Sequence, residues 1–151
     1  MQAEAALVAS FVPDVTPEPP QFSLLARTLA NQGKLEEALS CCERWIAAEP
    51  LDSGARYLRA MILEETGDTD EARRSLQQAI YLHPDFVLAH FALGNLARGA
   101  RHMGEAHRHF DNTLALLNKL PATEPLPESD GLTAARLKEV VESLFVLENA
   151  P

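Results

Sequence analysis

The chain has 151 residues and a formal net charge of −9, from 13 basic and 22 acidic side chains. This length suffices for one domain with its own hydrophobic core and without disulfides. The acidic balance argues against binding to nucleic acid or to an anionic membrane surface, because both require a basic footprint.

Membrane and secretory signals are not apparent in the sequence. Its apolar runs are too short to cross a bilayer, and its first residues lack the basic start of a secretory signal. Cys41 and Cys42 are neighbours that would point in different directions on a helix, so we expect both to stay reduced thiols. We therefore expect a cytoplasmic protein without membrane insertion.

Residues 1–20 are predicted to form a tail or linker. Four of the eight residues from Pro13 to Pro20 are proline, which is too many for a helix or a strand. Pro20 suits the first turn of the helix that follows, where a missing N–H costs nothing.

From about residue 21 to residue 120, apolar residues recur at helical spacing, and the pattern repeats at an offset of 34 residues. The matched positions include Ala26, Ala60 and Gly94; Ala38, Ala72 and Ala106; and Cys42, Leu76 and Phe110. Such a period is typical of stacked helix hairpins, each of which needs its neighbours to bury its apolar face. The sequence predicts three hairpins, over about residues 19–52, 53–86 and 87–120.

Cap and turn residues mark the predicted helix ends. Gly33 and Gly67 suit the left-handed conformation that often follows a helix. The predicted N-caps are Asp52 or Ser53, Asp68 and Asp85. In the third hairpin Arg101 replaces the glycine, and Asn118 replaces the proline that stops the earlier hairpins, so its second helix is predicted to run on to Pro121.

The remaining residues are predicted to form a linker and one more helix. Residues 121–132 are a proline-rich linker, and residues 133–147 are a capping helix that begins after Thr133. Its apolar stripe is broad, so we expect the helix to cover the open end of the third hairpin.

The repeating pattern resembles the tetratricopeptide repeat. The third hairpin carries Phe91, Leu93 and Gly94 on its first helix and Ala106 and Phe110 on its second, as that family does. The resemblance covers about residues 19–120. It implies an all-α fold, a right-handed α-solenoid of three helix hairpins with a C-terminal capping helix.

Residues 81–96 are similar to repeats fused behind bacterial chemoreceptor methyltransferases of the CheR type, and residues 126–137 are similar to the closing segment of those proteins. In that family a catalytic domain transfers methyl groups from S-adenosylmethionine to receptor glutamates. This chain shows no strand-then-glycine-loop pattern for a nucleotide-like cofactor. The resemblance therefore implies an accessory regulatory or targeting domain in chemotaxis, which is not an enzyme and binds no cofactor. Its partner would be a chemoreceptor, the methyltransferase domain or another array protein.

The family resemblance also implies a concave groove, lined by the first helix of each hairpin, that holds a peptide or a helix. The matching positions predicted to bind a partner are Arg27, Asn31, Tyr57, Met61, Phe91, Asn95 and Arg98. The large apolar side chains would serve as anchors, the amides would bond a peptide backbone, and the arginines would meet a carboxylate. Alternatively, Tyr57 and Phe91 pack between neighbouring repeats.

Three further expectations concern partners and ligands. The family's chaperone-tail binders clamp a carboxylate with basic and amide side chains, but those positions hold Ser23, Arg27, Leu88 and Ala92 here, so we expect no chaperone adaptor. The histidines of the third hairpin lack the usual ligand spacing, so we expect no metal site. The alternative function is an oligomerisation scaffold, a homodimer in which the last helix exchanges between chains.

Overall fold

The computed structural model describes residues 19–148, which form seven α-helices. The helices are α1 (Pro19–Asn31), α2 (Leu35–Ala48), α3 (Ser53–Glu65), α4 (Thr69–Leu82), α5 (Val87–Gly99), α6 (Met103–Leu117) and α7 (Ala134–Glu148). The one β contact within residues 19–148 is an isolated bridge between Pro125 and Thr133. The predicted all-α class is confirmed. The predicted tail lies outside the described residues except for the first two residues of α1.

The chain divides into two compact units, Met1–Ala72 and Arg73–Pro151. In the first unit α1 packs on α2, α2 packs on α3, and α1 also contacts α3. Their buried faces form a core that includes Phe22, Leu25, Leu29, Trp45 and Ile62. The small residues at the repeated positions, Ala26, Ala38, Ala60 and Ala72, are fully buried, which lets helices approach closely.

Arg59 stands at a position where the repeat pattern has leucine, and the first unit accommodates it with ion pairs. Its Nη2 lies 3.8 Å from Glu43 Oε1 on α2 and 3.5 Å from Glu71 Oε2 at the start of α4. The arginine therefore joins α3 to two neighbouring helices by charge, where a leucine would do so by packing.

Both cysteines lie in the core of the first unit. The Cys41 thiol donates a hydrogen bond to Phe22 O over 3.6 Å, and Cys42 is fully buried. Burial, reinforced by Cys41, raises the pKa of the Cys42 thiol to about 12. Because the thiolate is the reactive form, Cys42 is a core side chain and an inert thiol.

In the second unit α5 packs on α6, and α6 packs on α7. The centre of this packing is Phe110, which is fully buried with its ring 6.0 Å from Phe91 and 5.9 Å from Phe145. A methyl group added at Gly94 would overlap the Phe110 ring. Glycine at this position is therefore required by packing.

The observed helix ends agree with the predicted caps at three places and differ at two. Asp68 Oδ1 accepts from Glu71 N over 3.4 Å at the start of α4. The Asp52 carboxylate accepts from the backbone N–H groups of Gly54 and Ala55, and Thr133 Oγ1 accepts from Arg136 N. The prediction for Asp85 was wrong, because α5 begins after Phe86 and has no side-chain cap. The turn before α5 is instead fixed by His90, whose Nε2 lies 2.8 Å from Pro84 O.

The predicted continuation of α6 to Pro121 was also wrong, because α6 ends at Leu117. The next amides, Lys119 N and Leu120 N, bond to the carbonyls three residues back and tighten the chain into a turn. The residue before a proline disfavours helical angles, so the helix ends ahead of Pro121.

The segment between α6 and α7 is held by backbone hydrogen bonds. Ala134 N donates to Glu124 O over 2.9 Å, Ala135 N donates to Ala122 O over 3.0 Å, and Leu126 N donates to Leu132 O over 2.8 Å. Leu126 is buried at 4% exposure. This segment is therefore a loop of fixed conformation within the second unit.

Candidate partner-binding surface

Four of the predicted contact residues lie on two helices of the first unit that touch each other. Arg27 and Asn31 are one turn apart on α1, and Tyr57 and Met61 are one turn apart on α3. Asn31 is exposed, and the other three are half-buried. The first unit therefore presents a mixed surface with a cation, an amide, a phenol and a thioether.

Helical spacing explains why these side chains reach the surface. On α1 the core takes Phe22, Leu25 and Leu29, which leaves Arg27 and Asn31 on another face. The Arg27 guanidinium is partly fixed, because its Nε donates to Ser23 Oγ over 3.2 Å. A cation held in this way loses less side-chain entropy when a partner carboxylate binds.

The groove positions implied by the family resemblance also include the acidic end of α3, which lies one turn beyond Met61. Glu64 and Glu65 are neighbours there, and both residues are exposed. Partial burial of its carboxyl raises the pKa of Glu64, and the adjacent Glu65 raises it further. The resemblance thus places this pair in the predicted groove, but the partial burial that raises the pKa of Glu64 depends on the fold and was not predicted.

The other three predicted contact residues lie on α5 of the second unit. Phe91, Asn95 and Arg98 follow one another at helical spacing and are all half-buried. Arg98 lies in the last turn of α5, where the helix dipole favours a cation. Phe91 also packs on Phe110 of the same hairpin, a contact that does not test the alternative of packing between neighbouring repeats. The groove through all three hairpins stays a prediction.

The family's carboxylate-clamp positions in the second unit are closed to a ligand. Leu88 and Ala92 are each 7% exposed and belong to the core. They can offer neither charge nor a hydrogen bond to a terminal carboxylate.

Two histidines of the second unit, His102 and His109, contact the same carboxylate. Glu105 Oε1 lies 3.6 Å from His109 Nε2, and Glu105 Oε2 lies 3.8 Å from His102 Nδ1. Burial lowers the pKa of His109 despite the opposing effect of Glu105. Within residues 19–148, no three side chains of histidine, cysteine, aspartate or glutamate gather closely enough to hold a metal ion.

None of the helices between residues 19 and 148 combines the length and the apolar character that crossing a membrane requires.

Comparison with known proteins identifies the fold and, among curated proteins, a relative that matches part of the chain. The tetratricopeptide repeat model matches residues 23–85 and 63–110, which together exceed half of the chain. The type III secretion translocator chaperone SycD of Yersinia enterocolitica has a TM-score of 0.74 at 16% identity, over 94% of this chain and 96% of that chain. The first repeat domain of Spaghetti (RPAP3), solved with an HSP90 peptide, has a TM-score of 0.63 at 16% identity, over 85% and 93%. These structures confirm the predicted all-α solenoid class and show the fold alone.

The relative is the probable biofilm formation methyltransferase WspC of Pseudomonas aeruginosa (strain PAO1). It is 32% identical over 99 residues, which are 61% of this chain and 23% of that protein. The predicted resemblance to repeats of a methyltransferase is thus confirmed, and the chain spans less than a quarter of the relative. Repeats of this type act as protein interaction modules because stacked hairpins present an extended surface. The chain belongs to the tetratricopeptide repeat family.

Proposed function

We propose that this chain is the accessory regulatory or targeting module of a bacterial protein-glutamate methyltransferase that acts on chemoreceptors. The observation that carries the proposal is the 32% identity over 99 residues with a methyltransferase. Methyl transfer from S-adenosylmethionine would belong to a catalytic domain, and we assign this chain no catalytic residue and no cofactor. Its two cysteines are free thiols, which suits a cytoplasmic location.

The surface of the first unit suits a helical partner that carries acidic side chains. Tyr57 and Met61 would bury against apolar side chains of the partner, since phenol and thioether groups are common anchors at interfaces. Arg27 would pair with a carboxylate, and Asn31 would bond a polar group at the edge. A receptor helix that bears methylation-site glutamates has this chemistry.

The three candidate contacts on α5 would add a second set of the same kind. Arg98 offers a cation, Asn95 an amide and Phe91 the exposed part of its ring. Because Phe91 also packs on Phe110, its truncation would lower stability as well as binding. Tyr57 and Met61 are therefore the better residues to substitute in a binding test.

Isothermal titration calorimetry tests this proposal with purified components. The chain is titrated with the methyltransferase catalytic domain and, separately, with a peptide of the receptor's methylation helix. We expect the double variant Tyr57→Ala/Met61→Ala to bind one of them at least about tenfold more weakly, since anchors of this kind contribute more than about 1 kcal/mol each.

Tyr81→Ala is the matched control for this titration. Tyr81 is 87% exposed at the end of α4 and lies outside the predicted surface. We expect it to leave the affinity unchanged. Equal weakening by the control and by the double variant would contradict the assignment of the surface, and lack of binding to both ligands would contradict the proposed partners.

A second candidate function, the homodimeric scaffold, is favoured by one observation. Val146 and Leu147 near the end of α7 are 70% and 65% exposed, which is unusual for two neighbouring apolar side chains. Light scattering of the purified chain tests it. A stable dimer that Val146→Ser/Leu147→Ser converts to a monomer would support the scaffold, and a monomer at all concentrations would contradict it.

A further inference from the structure

A cavity of about 420 Å³ lies in the second unit between the end of α6, the turn that follows it, and the first half of α7. Its apolar lining includes Leu117, Leu120 and Ala135, of which Leu117 is 3% exposed. The volume lies within the range of cavities that bind small molecules or side chains. The residues predicted to bind a partner do not line it, so it is a separate site.

The walls of this cavity are held in place by the backbone. Ala135 N on α7 donates to Ala122 O of the turn over 3.0 Å, and Leu120 N donates to Leu117 O over 3.0 Å. The turn after α6 and the start of α7 are thus bonded to each other before anything binds. A preformed cavity costs little conformational entropy on binding.

The hydrogen bonding at the start of α7 argues against an anion. A helix N-terminus attracts anions through its first free N–H groups. Here Ala134 N, Ala135 N and Arg136 N already donate to Glu124 O, Ala122 O and Thr133 Oγ1. The usual donors for an anion are therefore occupied.

The charges around the cavity favour a cation. The lining contains the carboxylates of Glu139 and Glu142 against the single ammonium of Lys138. The cavity also faces the C-terminal end of α6, which carries the negative end of a helix dipole. Glu139 is paired with Arg136 over 2.9 Å, so Glu142 is the carboxylate best placed to receive a new cation.

We propose that this cavity receives a long cationic side chain, that of an arginine or a lysine, from a partner polypeptide. The aliphatic stem would lie on Leu117, Leu120 and Ala135, and the charged end would meet Glu142. Long basic side chains combine an apolar stem with a charged end in this way. The proposal goes beyond the function proposed above and uses none of its contact residues.

An NMR titration of the whole chain tests the proposal with four small probes. The probes are the N-acetyl, N-methylamide derivatives of arginine, lysine, citrulline and norleucine. We expect arginine or lysine to shift the backbone amides of Leu120, Ala135 and Glu142 until saturation, and the comparison of these two identifies the preferred cation. Citrulline, which is neutral and similar in shape to arginine, and norleucine should bind about tenfold more weakly, because the charge-assisted bond is lost.

Substitutions on the cavity wall sharpen the test. Glu142→Gln should weaken binding of the cationic probe about tenfold, whereas Lys138→Gln, which removes the competing charge, should strengthen it. Glu36→Gln, an exposed acid of α2 in the first unit, is the control and should change nothing. If Glu142→Gln disturbs folding, Ala122→Phe should block the exposed side of the cavity from the turn and abolish the shifts.

The outcomes separate this proposal from the preceding one. Equal binding of citrulline and arginine, or shifts that spread over the acidic surface without saturation, would overturn it. Tyr57→Ala/Met61→Ala should leave the titration unchanged, because those residues lie in the other unit. Failure of the cavity test would leave the proposed function standing, and the reverse also holds.

Discussion

At the scale of single residues, Arg101 shows how one side chain can depart from the repeat and keep the fold. Gly33 and Gly67 follow their helices with φ of 78° and 88°, and Arg101 occupies the third equivalent position with φ of 64°. This left-handed conformation costs a residue with a Cβ roughly 1–2 kcal/mol. The turn is therefore imposed on Arg101 by the packing of the hairpin around it.

We expect Arg101→Gly to stabilise the chain by about 0.5–1 kcal/mol. The free energy gained by relief of the left-handed strain exceeds the cost of glycine's greater freedom in the unfolded state. That cost is about 0.5–1 kcal/mol. Urea unfolding followed by circular dichroism measures the difference. Arg108→Gly, on the exposed face of α6, is the control and should lower stability by about 1 kcal/mol. A loss of stability in both variants would show that Arg101 is unstrained.

His109 is expected to make stability depend on pH. Burial is the main cause that lowers its pKa in the folded state; Glu105 opposes this shift, and the charges of Arg108 and His90 add smaller contributions in the same direction as burial. The unfolded chain takes up this proton near the ordinary pKa of histidine, about 6.5, and the folded chain takes it up only at lower pH. The stabilisation is therefore complete above that value and is lost as the pH falls below it.

Urea unfolding at pH 7.5 and pH 5.5 measures this effect. We expect the folded state to be less stable at pH 5.5, and we expect His109→Gln to reduce the difference between the two values. His102→Gln is the control, because the His102 side chain is 62% exposed. A pH dependence that His109→Gln leaves unchanged would contradict the assignment.

At the scale of the elements, the 34-residue offset was sufficient to locate six helices, because each repeats the same buried positions. The prediction failed where one local residue competes with the packing of the whole hairpin. Asp85 has the chemistry of an N-cap, but α5 begins after Phe86, whose buried ring fixes where the chain enters the helix. Asn118 offered no stop signal, and the helix nevertheless ends at Leu117 ahead of Pro121.

Alanine substitutions at the starts of α3 and α5 compare a capped helix with one that has no side-chain cap. We expect Asp52→Ala to destabilise the chain by about 1 kcal/mol, because two N–H groups at the start of α3 lose their acceptor. Asp85→Ala should cost little, because α5 has no side-chain cap. Thermal unfolding of both variants checks the difference, and equal losses in Tm would contradict the observed cap geometry.

The sequence predicted on which helix faces the candidate binding residues lie, but it did not predict which side chains surround them. Helical spacing places Arg27 and Asn31, like Tyr57 and Met61, on one face each. Spacing does not reveal that Phe91 packs on Phe110 or that Arg27 is held by Ser23, since both depend on the neighbouring side chains. The cavity beside α7 was not foreseen, because it depends on backbone bonds in a loop that has no repeating pattern.

At the scale of the whole molecule, the chain consists of two compact units built from the same hairpin plan. Each unit buries its small and apolar repeat positions and leaves polar and aromatic side chains half exposed on the first helix of a hairpin. Such a chain stabilises itself through its core and keeps a surface for another polypeptide. In the proposed function, the surface with Tyr57 and Met61 contacts a methyltransferase or its receptor.

Site-specific photo-crosslinking in bacterial cells tests that claim most directly. A photoreactive phenylalanine replaces Tyr57 in one variant and Tyr81 in the control, and mass spectrometry identifies the proteins that become attached. We predict that position 57 captures the methyltransferase catalytic domain or its chemoreceptor, and that position 81 does not. Absence of such an adduct at position 57, or the same adduct from both positions, would contradict the account.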